Sequence, residues 1–394
     1  MEKSNFITFL DEYKDKQEVT NNEYIKFIQQ VYADFYSNNY GSPDTTGYCP
    51  TINNTNQYEL WKSSYEIKID LDDIREEKII DIDVNDISDL LKIINENEYE
   101  SNFRYNIDLK ALHNIKTELE NLNNMVGLEN MKTNIVDQLL YFLQGLHTIG
   151  NGDYKHTILH GPPGTGKTEV AKIMGTMYSK IGILKNNIFR KVTRSDLIAG
   201  YLGQTALKTK KVIEECLGGV LFIDEVYSLG SPMDNDNYSK ECIDTICECL
   251  SDNKDNLMVI VAGYENEINE RFLKMNSGLE SRFIWKFEMD RYSYNDLCTI
   301  FIRMVKKNNW CIDNEEVVEE WFKQNFEQFK SYGRDIEKLF SYVKIAHGRR
   351  IYGKKQEDKY KITIIDLNKG LSVFKENSIK KNELPKYIQQ TMYC

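Results

Sequence analysis

Apolar positions along the chain fall into two periods, and the change between them divides it into regions. After the cap at Thr20 to Glu23, Tyr24, Ile28, Val31 and Phe35 recur at helical spacing, which predicts a helix to about Ser37. Residues 38–57 are crowded with Asn, Gly, Pro, Ser and Thr and read as loop. Tyr65 to Asp70 and Ile80 to Val84 alternate apolar with charged residues, the period of short strands. From Asn114 a polar helix leads to Leu122–Leu128, followed by a longer amphipathic helix to Leu146 that the glycines at 150 and 152 stop. Beyond them, β-prone runs at 156–160, 188–192, 219–223, 257–262 and 283–287 alternate with helical stretches, which means a parallel sheet with crossover helices. After Asp290 the pattern is helical, with one further strand candidate at 360–362. The expected architecture is α/β, with an N-terminal α+β region over 1–113, a core over 114–289 and a helical lid with a C-terminal tail over 290–394.

Composition narrows the classes of function. The 394 residues carry 50 Lys and Arg against 61 Asp and Glu, a net charge of -11 that disfavours nucleic acid as a general partner. Neither an apolar leader at Met1–Leu10 nor an apolar run of the roughly 18 residues needed to span a bilayer is visible, so a cytoplasmic, soluble chain with no membrane partner is expected. The eight cysteines contain no CxxC pair, and the spacing of Cys242, Cys247 and Cys249 suits a helix face packed into a core, so reduced thiols are expected.

Two motifs carry chemistry. Gly161-Pro162-Pro163-Gly164-Thr165-Gly166-Lys167-Thr168 follows a strand and opens a helix that continues with Glu169. In that setting glycines let backbone N–H groups turn around phosphates, Lys167 reaches the outer phosphates and the Thr168 hydroxyl ligates Mg²⁺. The apolar run Gly219 to Ile223 ends in Asp224 and Glu225. Two acids at the end of a buried strand suit a divalent cation, with Asp224 holding Mg²⁺ through water and Glu225 polarising the water that attacks the terminal phosphate.

These motifs, with Val126-Gly127-Leu128, Tyr201-Leu202-Gly203-Gln204-Thr205-Ala206, Val259 to Tyr264 and Ser281-Arg282-Phe283, resemble the AAA+ ATPases, and within them the CbxX/CfqX family. The resemblance covers about residues 114 to 352. It implies a homo-hexamer driven by ATP and Mg²⁺, with a five-stranded sheet ordered 5-1-4-3-2 and a protein client threaded or remodelled at a central pore. It also implies roles for single positions. Val126 and Gly127 match the linker beside the adenine, Arg282 the arginine finger offered to a neighbouring subunit, Arg334 the sensor on the lid, and Tyr201, Leu202 and Gly203 the pore loop. Most of the wider family has Asn at the end of the fourth strand, where this chain has Tyr264, with Asn266 as second candidate for that sensor. A nucleic-acid motor or loader and a nucleotide-gated scaffold of low turnover are the competing classes.

Overall fold

The computed structural model describes residues 76–150, 152–201, 203–230, 236–354 and 359–382, with side chains described through 377. The chain divides into two compact units, Met1–Glu76 and Glu77–Cys394, and the described residues lie in the second except for Glu76. The helix expected after Thr20, the loop over 38–57 and the strand expected over 65–70 fall outside the described residues.

In chain order the elements are β1 (Glu76–Lys78), α1 (Ile87–Glu96), β2 (Phe103–Tyr105), α2 (Leu109–Asn114), α3 (Lys116–Asn123) and α4 (Glu129–Leu143). Then come β3 (Thr157–His160), α5 (Lys167–Lys180), β4 (Phe189–Val192), α6 (Arg194–Leu197), α7 (Thr205–Glu214), β5 (Val220–Ile223), α8 (Asn237–Asp252) and β6 (Met258–Gly263). They are followed by α9 (Glu265–Arg271), α10 (Gly278–Arg282) and β7 (Trp285–Glu288). The last are α11 (Tyr294–Lys307), β8 (Cys311–Ile312), α12 (Glu315–Asn325), α13 (Tyr332–Ile351), β9 (Lys361–Ile362) and α14 (Ile364–Asn382).

Strands β3 to β7 form one sheet in the order β4-β5-β6-β3-β7, every pair parallel. Counted along the chain, that is 5-1-4-3-2. The period of two sorts its side chains onto two faces. Val220, Phe222, Met258, Ile260, Ala262 and Leu159 join one core with α1, α3, α4 and α5, and that core continues through Leu297, Phe301, Phe322, Leu339 and Leu367 of the C-terminal helices. Leu221, Ile223, Val259, Val261 and Ile158 join the second core with α7 and α8. The three cysteines of α8 are buried there as spaced, and burial raises their thiol pKa, to about 11 for Cys242.

Two expectations are corrected. Residues 80–84 do not form a strand. The alternation is real, since Ile80, Ile82 and Val84 pack against the core, but the amide of Asn106 takes both the N–H and the C=O of Ile80, at 2.8 and 3.0 Å, in place of a neighbouring strand. The domain boundary also moves from 113 to 76/77, because Ile87, Leu90, Ile93, Leu109 and Leu112 lie in the same core as the sheet. Amphipathic helices that share a core with a sheet belong to one folding unit with it, whatever the change in composition between them.

Candidate functional site

The loop from Gly161 to Thr168 joins the carboxyl end of β3 to α5, and three of its glycines are pressed against three other segments. All have positive φ: 148° at Gly161, 76° at Gly164 and 94° at Gly166, a backbone that side chains disfavour. A Cβ at Gly161 would lie 2.8 Å from the Met289 side chain, one at Gly164 2.1 Å from the Ser331 carbonyl, and one at Gly166 3.1 Å from Met125 Cε. The loop is thus closed in by the chain after β7, the start of α13 and the linker before α4. Further bonds tie it down: Tyr292 donates to the Thr165 carbonyl at 3.1 Å, Gly333 N–H donates to the Gly164 carbonyl at 3.1 Å, and Thr165 Oγ1 donates to the Pro162 carbonyl at 2.9 Å.

Lys167 Nζ donates back to the carbonyls of Gly161 and Pro162, at 2.9 and 2.7 Å. Burial lowers its pKa to about 8, against the upward pull of the nearby Asp224 and Glu225 carboxylates and with the Arg334 cation pushing the same way as burial. A cation made less favourable by its surroundings is one that gains from an added anion. Glycines that would clash if they carried a side chain, a buried ammonium and the first turn of α5 together fit a phosphate chain. Thr168 and Glu169 stand in that first turn, Glu169 exposed.

All four residues of β5 are buried, and the strand delivers Asp224 and Glu225 at its carboxyl end, the edge from which the phosphate loop springs. Asp224 Oδ1 accepts the N–H of Glu225 at 3.1 Å, and Oδ2 accepts Lys191 Nζ at 2.5 Å. Glu225 is exposed with φ of 50°, an uncommon backbone for a residue with a side chain. A cleft of about 550 Å³ opens here, lined by both acids, Lys191 and Thr193.

Tyr264 follows β6, whose Gly263 is level with His160 and accepts the N–H of Gly161 at 3.2 Å. Its ring lies 5.9 Å from Lys167 Nζ and 5.7 Å from the ring of Tyr227. Of the two candidates for the fourth-strand sensor, Tyr264 is therefore beside the loop, while Asn266 is exposed in the first turn of α9. Arg334 opens α13, with its own N–H against the Gly164 position. Val126 and Gly127 lie in the linker that carries Met125, and a Cβ at Gly127 would meet Asp296 and Tyr292 at 3.3 to 3.4 Å. The linker is held at its far side by Asp290, which accepts the N–H of Asn130 at 3.0 Å and its side-chain amide at 2.9 Å. Leu128 caps α4 with no side-chain bond, so a carboxylate from 160 residues away satisfies the free N–H groups there.

Two expected groups are not at this loop. Arg282 ends α10, three residues before β7, and because Trp285 is level with Thr157 it stands at the opposite edge of the sheet from Gly161. Tyr201 and Gly203 lie between α6 and α7, with Tyr201 74% exposed, so the side chain is not part of the core. Leu202 is outside the described residues. The loop's base is fixed by Arg194, which donates to the carbonyls of Ser228 and Leu229, to Ser239 and to Asp236 at 2.7 to 3.0 Å.

Asp290, Tyr292, Lys191 and Arg194 carry no signal in the sequence. A carboxylate or a tyrosine outside any short motif looks ordinary until the fold brings it to the loop.

The model of the ATPase family associated with various cellular activities (AAA) matches residues 157–286. The chain is 36% identical over 282 residues to a putative cfxQ-like protein of Acanthamoeba polyphaga mimivirus, covering 71% of this chain and 69% of that one. It is 34% identical over 262 residues to the stage V sporulation protein K of Bacillus subtilis, covering 64% and 76%. A shorter stretch of 148 residues is 42% identical to the ESX-1 secretion system protein EccA1 of Mycobacterium tuberculosis, covering 37% of this chain and 26% of that one. With the phosphate loop, the acidic strand end and the five-stranded sheet in place, the chain belongs to the AAA+ ATPases and is an ATP hydrolase.

Proposed function

We propose that the protein assembles as a homo-hexameric ring and uses ATP hydrolysis to remodel a protein client, or thread it, at a central pore. Backbone N–H groups of Gly161 to Gly166 would hold the phosphates, with Lys167 as their cation. Thr168 and Asp224 would hold Mg²⁺, which when bound supplies positive charge to the phosphate oxygens. Glu225 orients and deprotonates the attacking water. Tyr264, beside Lys167, senses the terminal phosphate. Arg334 couples the nucleotide to the lid through the contact of α13 with Gly164, and Val126 and Gly127 border the base. Arg282, on the far edge of its own sheet, serves the site of a neighbouring copy.

The observation that carries the client reading is Tyr201. A large aromatic ring stands 74% exposed in a loop bounded by Gly200 and Gly203, on a base that Arg194 fastens directly behind the acidic strand end. An aromatic so placed grips a chain by contacts worth about 0.5 to 1.5 kcal/mol beyond its area, firm enough to pull and weak enough to release. Tyr201→Ala is expected to keep nucleotide binding, assembly and most basal hydrolysis while losing client-stimulated turnover. Complexes trapped with ATP on a Glu225→Gln background, with and without Tyr201→Ala, test this by what protein co-purifies. Equal capture by both would remove the pore reading.

A further inference from the structure

Four groups of its own chain lie against the Arg282 guanidinium, the weakest being Ser281 Oγ, which accepts from Nη1 at 3.5 Å. Nε donates to Ser251 Oγ at 2.8 Å, Nη1 donates to the Gly278 carbonyl at 2.6 Å, and the guanidinium carbon lies 5.8 Å from the centre of the Tyr154 ring. The Ser251 hydroxyl is itself oriented, because it donates to the Cys247 carbonyl at 3.2 Å and so turns a lone pair toward Arg282. Gly278 leaves the space required, since a Cβ there would come within 2.7 Å of Nη1. Among the described residues these hydrogen bonds use Nε and Nη1 and none uses Nη2, whose donors suit an anion. A guanidinium held at both Nε and Nη1 has already lost much of the rotamer freedom that an exposed arginine loses only on binding.

Ser251 stands in the last turn of α8, and the first turn of that helix is fastened at the other end of the domain. Asp236 caps it, accepting Ser239 N–H at 3.1 Å, and pairs with Arg194, which also holds the carbonyls of Ser228 and Leu229 just past Asp224 and Glu225. Helix α8, 16 residues and so about 24 Å long, connects the base of the Tyr201 loop and the acidic strand end to the grip on Arg282.

We propose that Ser251 and Tyr154 are positioning residues for Arg282, holding its guanidinium at the angle at which it meets the nucleotide of the neighbouring copy, with α8 tying that angle to the donor subunit's own site. The proposal rests on Arg282 acting in trans, and subunit mixing separates the two. In a mixture of Glu225→Gln and Arg282→Ala subunits, hydrolysis occurs on the Arg282→Ala subunits with guanidinium groups supplied by the Glu225→Gln subunits.

Adding Ser251→Ala to the Glu225→Gln subunit is expected to lower the mixture's kcat about tenfold, the loss of one hydrogen bond to a charged group, with KM for ATP unchanged. The same change on the Arg282→Ala subunit, which supplies no guanidinium, is the control for folding or assembly defects. Ser251→Thr should restore the rate, as should Tyr154→Phe where Tyr154→Leu lowers it, since Thr keeps the hydroxyl and Phe keeps the ring face. If the parent mixture is no more active than its parts, action in trans fails and the positioning role fails with it. If the parent mixture is active but Ser251→Ala lowers its rate equally on either subunit, or Thr does not rescue, Arg282 still acts in trans and the positioning role alone is overturned.

Discussion

At the residue scale, the proposed roles of the phosphate loop and the acidic strand end separate binding from chemistry. Lys167→Ala removes the buried ammonium beside Gly161 and Pro162 and is expected to abolish nucleotide binding. Glu225→Gln leaves that cradle intact and should bind ATP normally while turning over roughly 10² to 10⁴ times more slowly. Equilibrium binding and single-turnover hydrolysis distinguish them, and wild-type turnover in Glu225→Gln would move the base elsewhere. Gly164→Ala tests the packing: left-handed backbone costs an ordinary residue about 1 to 2 kcal/mol, and the methyl would also lie 2.1 Å from the Ser331 carbonyl. Nucleotide binding and melting temperature should fall together, because the same glycine serves the cradle and the docking of α13. These residues were legible in the sequence because each motif is contiguous and its chemistry needs fixed types at fixed spacing. Lys191 and Asp290 were not, since a lone charge on a strand end or in a connection looks the same whether it meets water, Asp224 or the start of α4.

At the element scale, period decided what could be read. All five strands of the large sheet were visible as β-prone runs: the inner strands β5 and β6 are buried and apolar on both faces, while the outer strands β4 and β7 mix apolar with charged residues and were marked by the helical stretches around them. The run Ile80 to Val84 shows the limit: alternation reports which side chains face the core, but whether the backbone pairs with a strand or with Asn106 depends on a partner 26 residues away. Strand β8 has only two residues, too few for a period, and exists because Ile362 of β9 is level with Ile312. Near this small sheet a buried acid holds α13 to α14. Asp366 is 1% exposed; burial alone would push its pKa up, but hydrogen bonds from Arg350, the Thr363 N–H and His347 outweigh it and hold the carboxyl below its ordinary value of 3.8. A depressed carboxyl stabilises the fold fully above the unfolded value, and that stabilisation is lost as pH falls through the folded one. Melting temperature of the wild type is therefore expected to exceed that of Asp366→Asn at neutral pH, and the gap to narrow below about pH 4. A gap that stays constant with pH would show that the carboxylate charge is not what joins the two helices.

At the scale of the whole molecule, the direction of the sheet keeps Arg282 away from the phosphate loop of its own chain. Every strand runs the same way, so the phosphate loop, Asp224 and Tyr264 gather at the carboxyl edge, while Arg282 precedes β7 at the amino edge. Four residues of strand span about 13 Å, and closing that gap within one chain would mean unpacking a sheet whose strands β5 and β6 are fully buried. In the proposed ring, a second copy would bring an amino edge to a carboxyl edge without any such cost. An arginine delivered in trans contributes about 10³ to 10⁵ in rate in well-studied nucleotide hydrolases, so an isolated subunit is expected to be a poor ATPase. Activity per subunit should rise with protein concentration along the same curve as assembly measured by sedimentation. Arg282→Ala should assemble and bind ATP yet stay near the rate of the isolated subunit. A rate per subunit that is flat from dilute chain to assembled ring would mean that each chain completes its own site, and the guanidinium at the amino edge would then be no more than the tie between α10, Ser251 and Tyr154.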